Sequence, residues 1–162
     1  MRERQAAQQA RRAREFQAFV AGAAGRLLHA ATLLTGEPPD ANPRARALLT
    51  AALASTYASW DRLRGEDPYD RTRTALAVRF ARGAWRLRRG HGGLLARLSP
   101  QERLVLVLRL YEGVAEEQTA ALLGLPAERV RTLCARAVAT VLHPPRGPAP
   151  AVPPALGEAT TS

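Results

Sequence analysis

The stretch from Glu116 to Leu142, EEQTAALLGLPAERVRTLCARAVATVL, constrains this chain most, because two helical patterns meet there across one glycine. Its spacing predicts a helix-turn-helix. Ala120 is small where two helices would cross, and Gly124 follows four residues later where the turn needs a positive φ. Leu123, Leu125, Val130 and Leu133 supply an apolar wedge between the helices. On the second helix Val130, Leu133, Cys134, Ala137 and Val141 recur at helical steps, which leaves Glu128, Arg129, Arg131, Thr132 and Arg136 free to meet a DNA major groove. Pro126 can open this helix and Glu128 suits its first turn, although no Ser, Thr, Asp or Asn caps it. An ordinary helical hairpin would share the Ala, Gly and Val spacing, so the rest of the chain has to separate the two readings.

Charge favours the DNA reading. The chain has no Lys and no Ile, so its 24 basic side chains are all Arg, and its net charge is +10. Part of that Arg excess is what a GC-rich genome encodes. The remainder points to an anionic partner, nucleic acid first and a membrane surface second. With 162 residues and 46% apolar content there is room for one domain or two small ones, but aromatics are only 5%, so Leu, Ala and Val must fill the cores.

Chemistry-bearing patterns are missing. Cys134 is the one cysteine and sits on the core face of its helix as a small apolar residue. His29, His91 and His143 are scattered, with no Cys/His cluster, no Ser/His/Asp spacing and no glycine-rich phosphate loop. The expectation is a protein that is not an enzyme and needs neither cofactor nor metal. Phe19–Leu34 faintly resembles a signal-peptide core, but Arg26 and His29 interrupt it and no apolar run reaches transmembrane length, which suggests a cytoplasmic protein.

Taken in order, residues 1–15 are rich in Arg and Gln, permit a helix and have little to bury, so fraying is expected there. A first core helix is predicted from Phe16, with Phe19, Val20, Ala23, Leu27, Ala30, Ala31 and Leu34 at three- and four-residue steps until Thr35-Gly36 stops it. After a proline-rich loop over 37–43, a second helix is predicted over 44–64 with Leu48, Leu49, Ala52, Leu53, Thr56, Tyr57 and Trp60 as its stripe. A third is predicted over 69–89. Leu76, Phe80, Ala84 and Leu87 form one of its faces, while Arg79, Arg82, Arg86 and Arg89 form another. No acidic residue occurs from Arg71 through Gln101, so this row suits phosphate tracking, with Trp85 and Phe80 available to stack on bases if exposed. Gly90–Gly93 marks a break. Ser99, Pro100 and Glu102 then cap a further helix that carries Leu104, Val105, Val107, Leu108 and Leu110 and ends at Gly113. Beyond Leu142 the chain is too rich in proline for a core, and disorder is expected there.

The C-terminal part resembles region four of the extracytoplasmic-function sigma factors. The resemblance rests on Leu98-Ser99-Pro100 with Glu102-Arg103, on Val107-Leu108-Arg109 leading to Tyr111-Glu112-Gly113, and on Glu117, Ala120, Leu123-Gly124, Val130 and Arg136-Ala137. The N-terminal half resembles region two more loosely, through Phe19-Val20, Leu33-Leu34-Thr35-Gly36, LLTAALASTYASW and Trp85-Arg86. The family implies an all-α protein of two small helical domains, a region-two-like one over 14–89 and a region-four-like helix-turn-helix over 98–142, with a short linker over 90–97 and a disordered tail over 143–162. It further implies promoter DNA and RNA polymerase core enzyme as partners, together with an anti-sigma factor. Glu128, Arg129, Arg131, Thr132 and Arg136 would then read the minus-thirty-five element, and Arg79, Arg82, Trp85 and Arg86 would lie near the minus-ten element. Leu49, Leu53, Tyr57 and Trp60 would dock on polymerase. Two departures stand out. Arg46, Ala47 and Thr50 occupy places where the family carries acidic residues and a Gln for polymerase docking, and the family's long acidic linker is shortened. A sigma factor comes first, a degenerate relative acting as a DNA-binding regulator or protein-interaction module second, and a basic helical protein that binds membranes or RNA without sequence preference third.

Overall fold

A computed structural model of the protein describes residues 1–63, 65–83 and 95–143. Its elements are the helices α1 (Arg2–Thr35), α2 (Pro43–Ala58), α3 (Pro68–Gly83), α4 (Pro100–Leu106), α5 (Glu116–Leu123) and α6 (Ala127–Leu142). No strand occurs among the described residues. The helix expected over 44–64 is shorter, since α2 ends at Ala58 and a 3-10 turn follows at Trp60–Arg62; of the helix expected over 69–89, the part to Gly83 is described and the rest of the span lies outside the described residues. Also outside them are Trp85, Arg86, Arg89, the break at Gly90–Gly93 and the tail beyond His143.

The first helix starts earlier than its apolar stripe. It runs unbroken from Arg2, because Ala, Gln and Arg favour helix even where nothing is buried. Residues 1–11 are exposed throughout. From Arg12 onward the helix finds partners: the Arg12 guanidinium donates to the Tyr57 carbonyl and pairs with Asp61 at 3.0 Å. The helix stops where Gly36 turns left-handed at φ 68° and its N–H returns to the Thr32 carbonyl.

The start of α2 is capped from a distance. Asn42 at the cap position makes no side-chain cap bond, and instead the Glu37 carboxylate accepts from the Arg44 and Ala45 N–H groups at 3.0 and 2.8 Å. An anion there satisfies free donors and suits the positive end of the helix dipole. Thr56 of α2 and Thr72 of α3 are fully buried but bonded to each other at 2.9 Å, so the small hydroxyls cost the α2–α3 contact little. Leu27, Ala30, Ala31 and Leu34 of α1 fill the centre with Ala45, Leu49 and Ala52 of α2 and Leu76, Ala77 and Phe80 of α3. Small Ala side chains let the three helices approach closely, which is how a core with few aromatics closes.

One helix has a membrane-like composition. By length and composition α1 could cross a bilayer, contrary to the expectation that no run is long enough, because its Ala- and Leu-rich window counts as apolar. That apolar face, Ala23, Leu27, Ala30, Ala31 and Leu34, is already spent in the core.

In the second half the cap forms as the residues require. The Ser99 hydroxyl accepts from Glu102 N–H at 3.2 Å, and the Glu102 carboxylate accepts from Ser99 N–H at 2.9 Å. Replacing Ser99 by Ala should cost about 1 kcal/mol and lower the melting temperature by roughly 2–4 °C, measured by circular dichroism. An unshifted melt would show that the cap adds nothing. The helix does not run evenly to Gly113: Val107–Tyr111 forms a π-turn, in which Glu112 N–H reaches back five residues to the Val107 carbonyl at 2.9 Å. This extra residue per turn leaves Leu110 63% exposed.

The turn between α5 and α6 is made by Gly124 at φ 64°, with Leu125 N–H bonded to the Ala120 carbonyl at 3.0 Å. Val105, Ala120, Val130 and Leu133 close a small core of their own, with Leu123 and Leu125 packed on it. The two helix groups also meet. Leu98, Leu104, Val107, Leu108 and Ala137 join the cluster formed by α1, α2 and α3.

Candidate nucleic-acid interface

The helix-turn-helix aims α6 by burying one of its faces. Val130, Leu133 and Ala137 are 0%, 2% and 0% exposed, and Cys134 and Val141 are partly buried beside them. The opposite face follows from the helical period: Glu128, Arg129, Arg131, Thr132 and Arg136 are all exposed on it. The structure therefore brings the five residues together on one surface, as their spacing requires.

Their ties differ. Arg131 is held to α5, with Nε and Nη2 donating to the Glu116 carboxylate at 3.3 and 2.7 Å. Arg136 is held to α4, with Nε donating to Glu102 at 2.6 Å while its side chain stays 63% exposed. Through Nε alone, that tie leaves the outer edge of the Arg136 guanidinium facing solvent. The Thr132 hydroxyl is turned inward onto the Glu128 carbonyl at 2.9 Å. Arg129 has no ion pair among the described contacts and stands in the first turn of α6, the part of a reading helix that approaches base edges most closely.

Glu102 deserves its position in both motifs. Burial works against its charge, but the Ser99 N–H, the Arg136 guanidinium and the Ser99 hydroxyl together hold the carboxyl below the usual carboxylate range. A depressed carboxyl contributes stability that is present at neutral pH and lost as pH falls through its folded pKa. The Cys134 thiol is pushed up, chiefly by burial, away from the thiolate form.

On α3, Arg79 and Arg82 are exposed and line an open groove of about 450 Å³ with Arg71, Ser55, Thr74 and Val78. Ser55 and Arg71 were not anticipated as part of this surface; a period read within one helix cannot show that α2 lends a hydroxyl to α3. Phe80 is corrected: at 2% exposure it is core and stacks on no base, because its step from Leu76 places it on the buried stripe. Trp85 and Arg86 lie outside the described residues.

The expected polymerase-docking set divides. Leu49 is only 7% exposed and packs in the core. Leu53 and Trp60 are partly buried and Tyr57 is 37% exposed. Tyr57 and Trp60 pack with Phe16 at ring separations of 4.8 and 5.2 Å, and the Arg12 guanidinium sits 4.4 Å from the Tyr57 ring. Arg46, Ala47 and Thr50 are exposed on α2, and Arg46 is bonded to Asn42 at 3.0 Å.

A basic chain whose described helices leave one face of a helix-turn-helix exposed has a surface suited to DNA. Residues 94–141 match the family model for sigma-70 region 4. Over 150 aligned positions the chain is 29% identical to the RNA polymerase sigma-E factor of Streptomyces coelicolor, covering 77% of this chain and 82% of that one. The RNA polymerase sigma-E factor of Streptomyces avermitilis is similar to the same extent. No solved structure matches. Residues 94–141 thus carry a sigma-70 region 4, and over most of its length the chain is similar to RNA polymerase sigma factors.

Proposed function

We propose that the protein is a sigma factor, which binds RNA polymerase core enzyme and brings it to promoters, with no catalytic chemistry of its own. It works in the cytoplasm, where polymerase and chromosome are. The observation that carries this reading is the exposed row on α6, framed by a helix-turn-helix that coincides with the matched sigma region. In this reading Arg129 and Arg136 contact the minus-thirty-five element, with Arg131 and Thr132 tied at its edge. Arg79 and Arg82 meet phosphates near the minus-ten element, where a loss should weaken binding to all sequences and flatten its salt dependence. An anti-sigma factor is the regulator this family implies.

A second reading, a DNA-binding regulator that no longer directs polymerase, draws on the exposed start of α2. Arg46, Ala47 and Thr50 offer a cation and no acid there. Toward a basic clamp surface such a face repels, which lowers affinity without abolishing it. Restoring acid as Arg46→Glu with Ala47→Asp should therefore increase the amount of core polymerase retained in a pull-down on the tagged chain. Equal or smaller retention would favour the second reading.

A further inference from the structure

The first eleven residues leave the body of the molecule. All are exposed, and among the described residues none of their side chains bonds to another element. At about 1.5 Å per residue they carry α1 roughly 15 Å past its packed part. The buried stretch with Ala23, Leu27 and Leu34 supplies a helical nucleus, and the helix extends from it through Ala, Gln and Arg, which favour helix without burial. The root of this arm is built, by contrast. The Arg12 guanidinium lies 4.4 Å from the Tyr57 ring, donates to the Tyr57 carbonyl and pairs with Asp61 at 3.0 Å. Phe16 meets Trp60 edge to face at 5.2 Å, and Phe19 lies 5.6 Å from the same ring. These contacts fix the direction in which the arm leaves, so little order is lost when it meets a partner.

Residues 1–14 hold five arginines against one acid, Glu3, with three glutamines and four alanines. Apart from Met1 and the alanines nothing apolar occurs there, which removes the anchors that a protein groove or a bilayer would take up. With no aromatic ring, the arm also lacks the stacking platform that unpaired bases need. Arg12 is engaged at the root, whereas Arg2, Arg4 and Arg14 are exposed with no ion pair among the described residues. Arg11 pairs with Glu15 at 2.7 Å, but both side chains face water, at 76% and 47% exposure, so a phosphate can take the place of the carboxylate. Steps of seven and three put Arg4, Arg11 and Arg14 along one side of the helix.

We propose that this arm binds the phosphate backbone of duplex DNA without reading its sequence, as a third contact beside α6 and α3. Duplex DNA carries one negative charge per about 1.7 Å of its axis, so a row of arginines roughly 15 Å long lies against several phosphates whatever the register. Binding there releases counterions and draws the chain to DNA before either of the other surfaces has found its element. The inference goes beyond the sigma-factor reading and stands without it, because the arm needs phosphates and not polymerase.

The test titrates the full chain against a labelled duplex of about 30 base pairs and arbitrary sequence, by fluorescence anisotropy at roughly 0.05–0.3 M NaCl. Arg4→Gln with Arg11→Gln removes two cations and keeps the helix propensity. It should weaken binding roughly 10- to 50-fold at about 0.1 M NaCl and lower the slope of log affinity against log salt by about 2. Arg4→Lys with Arg11→Lys keeps the charges and should bind as the wild type does. An equal loss of charge at exposed positions elsewhere, Arg44→Gln with Arg97→Gln, should move the slope by less than about 0.5. A slope left unchanged by the Arg4 and Arg11 glutamine pair would overturn the inference. An equal fall in the control pair would do the same, since net charge rather than the arm would then hold DNA. Affinity lost in the lysine pair would mean that the arm reads a geometry only arginine offers, and sequence-independent tracking would be wrong. Arm-dependent binding that is tighter to single-stranded RNA of the same length, or to vesicles of phosphatidylserine and phosphatidylcholine, than to the duplex would give the arm a different partner and overturn the proposal.

Discussion

Replacing Arg103 by alanine is expected to remove about 3–5 kcal/mol of folding stability, the largest loss of any single substitution considered. Arg103 lies in α4 and is 0% exposed. Its Nη1 donates at 2.9 Å to the carbonyl of Leu34, in the last turn of α1, where unpaired carbonyls carry the negative end of the helix dipole. Burial lowers the pKa of the guanidinium, but an arginine stays charged. Alanine would leave a void where the stem packs and a buried carbonyl without its donor. Because a buried charge is a poor source of net stability in itself, Arg103→Met, which refills the volume, should recover half or more of the loss. The melting temperature should fall by roughly 6–20 °C for the alanine variant, at about 2–4 °C per kcal/mol. An alanine variant that melts within a degree of wild type would mean that α4 does not cap α1.

The second large effect is on DNA. Arg129→Ala should weaken binding to a selected duplex by about 1–3 kcal/mol, roughly 5- to 150-fold, and relax base preference, because Arg129 has no ion pair to lose among the described contacts. Its melting temperature should not move. Arg136→Ala should behave differently. Removing the guanidinium takes a 2.6 Å partner from the nearly buried Glu102, so binding and stability should fall together, the latter by about 1 kcal/mol given how exposed Arg136 is. The loss should also change with pH. Glu102 would sit nearer the ordinary carboxylate range, so the Arg136→Ala penalty should be full at neutral pH and shrink as pH falls through the folded pKa of Glu102 in the wild type. Titration of the difference in melting temperature between pH 7 and pH 3 checks the sign. A penalty that grows in acid would separate Arg136 from Glu102.

Much of this surface was legible in the residues because it depends on local spacing. The left-handed turn at Gly124, the stop at Gly36, the cap formed by Ser99 with Glu102 and the two faces of α6 each rest on positions a few residues apart. What could not be read depends on distance. Glu102 meets Arg136 across 34 positions, Arg103 meets Leu34 across 69, and Tyr69 meets Glu112 across 43. No periodicity shows which of two exposed arginines will find a carboxylate on another helix. The π-turn is hidden for a related reason: Val107, Leu108 and Leu110 fit an ordinary apolar stripe, and only packing shows that one of them is turned out. Burial marks the first helix only from Phe16, while the helix-permissive composition of residues 1–15 carries it from Arg2. Phe80 shows the converse, an aromatic in a basic helix whose place on the buried stripe decides its role.

Transcription reconstituted from purified core polymerase, the full chain and a pooled library of promoter-length fragments, with the RNA 5′ ends sequenced, tests the sigma-factor reading most directly. The expected result is a set of 5′ ends that depends on the added chain and lies at a fixed distance downstream of one shared pair of sequence elements. Arg129→Ala should deplete the set. Ends no different from those made by core enzyme alone, while the chain still binds its selected duplex, would contradict the reading and leave a DNA-binding regulator in its place.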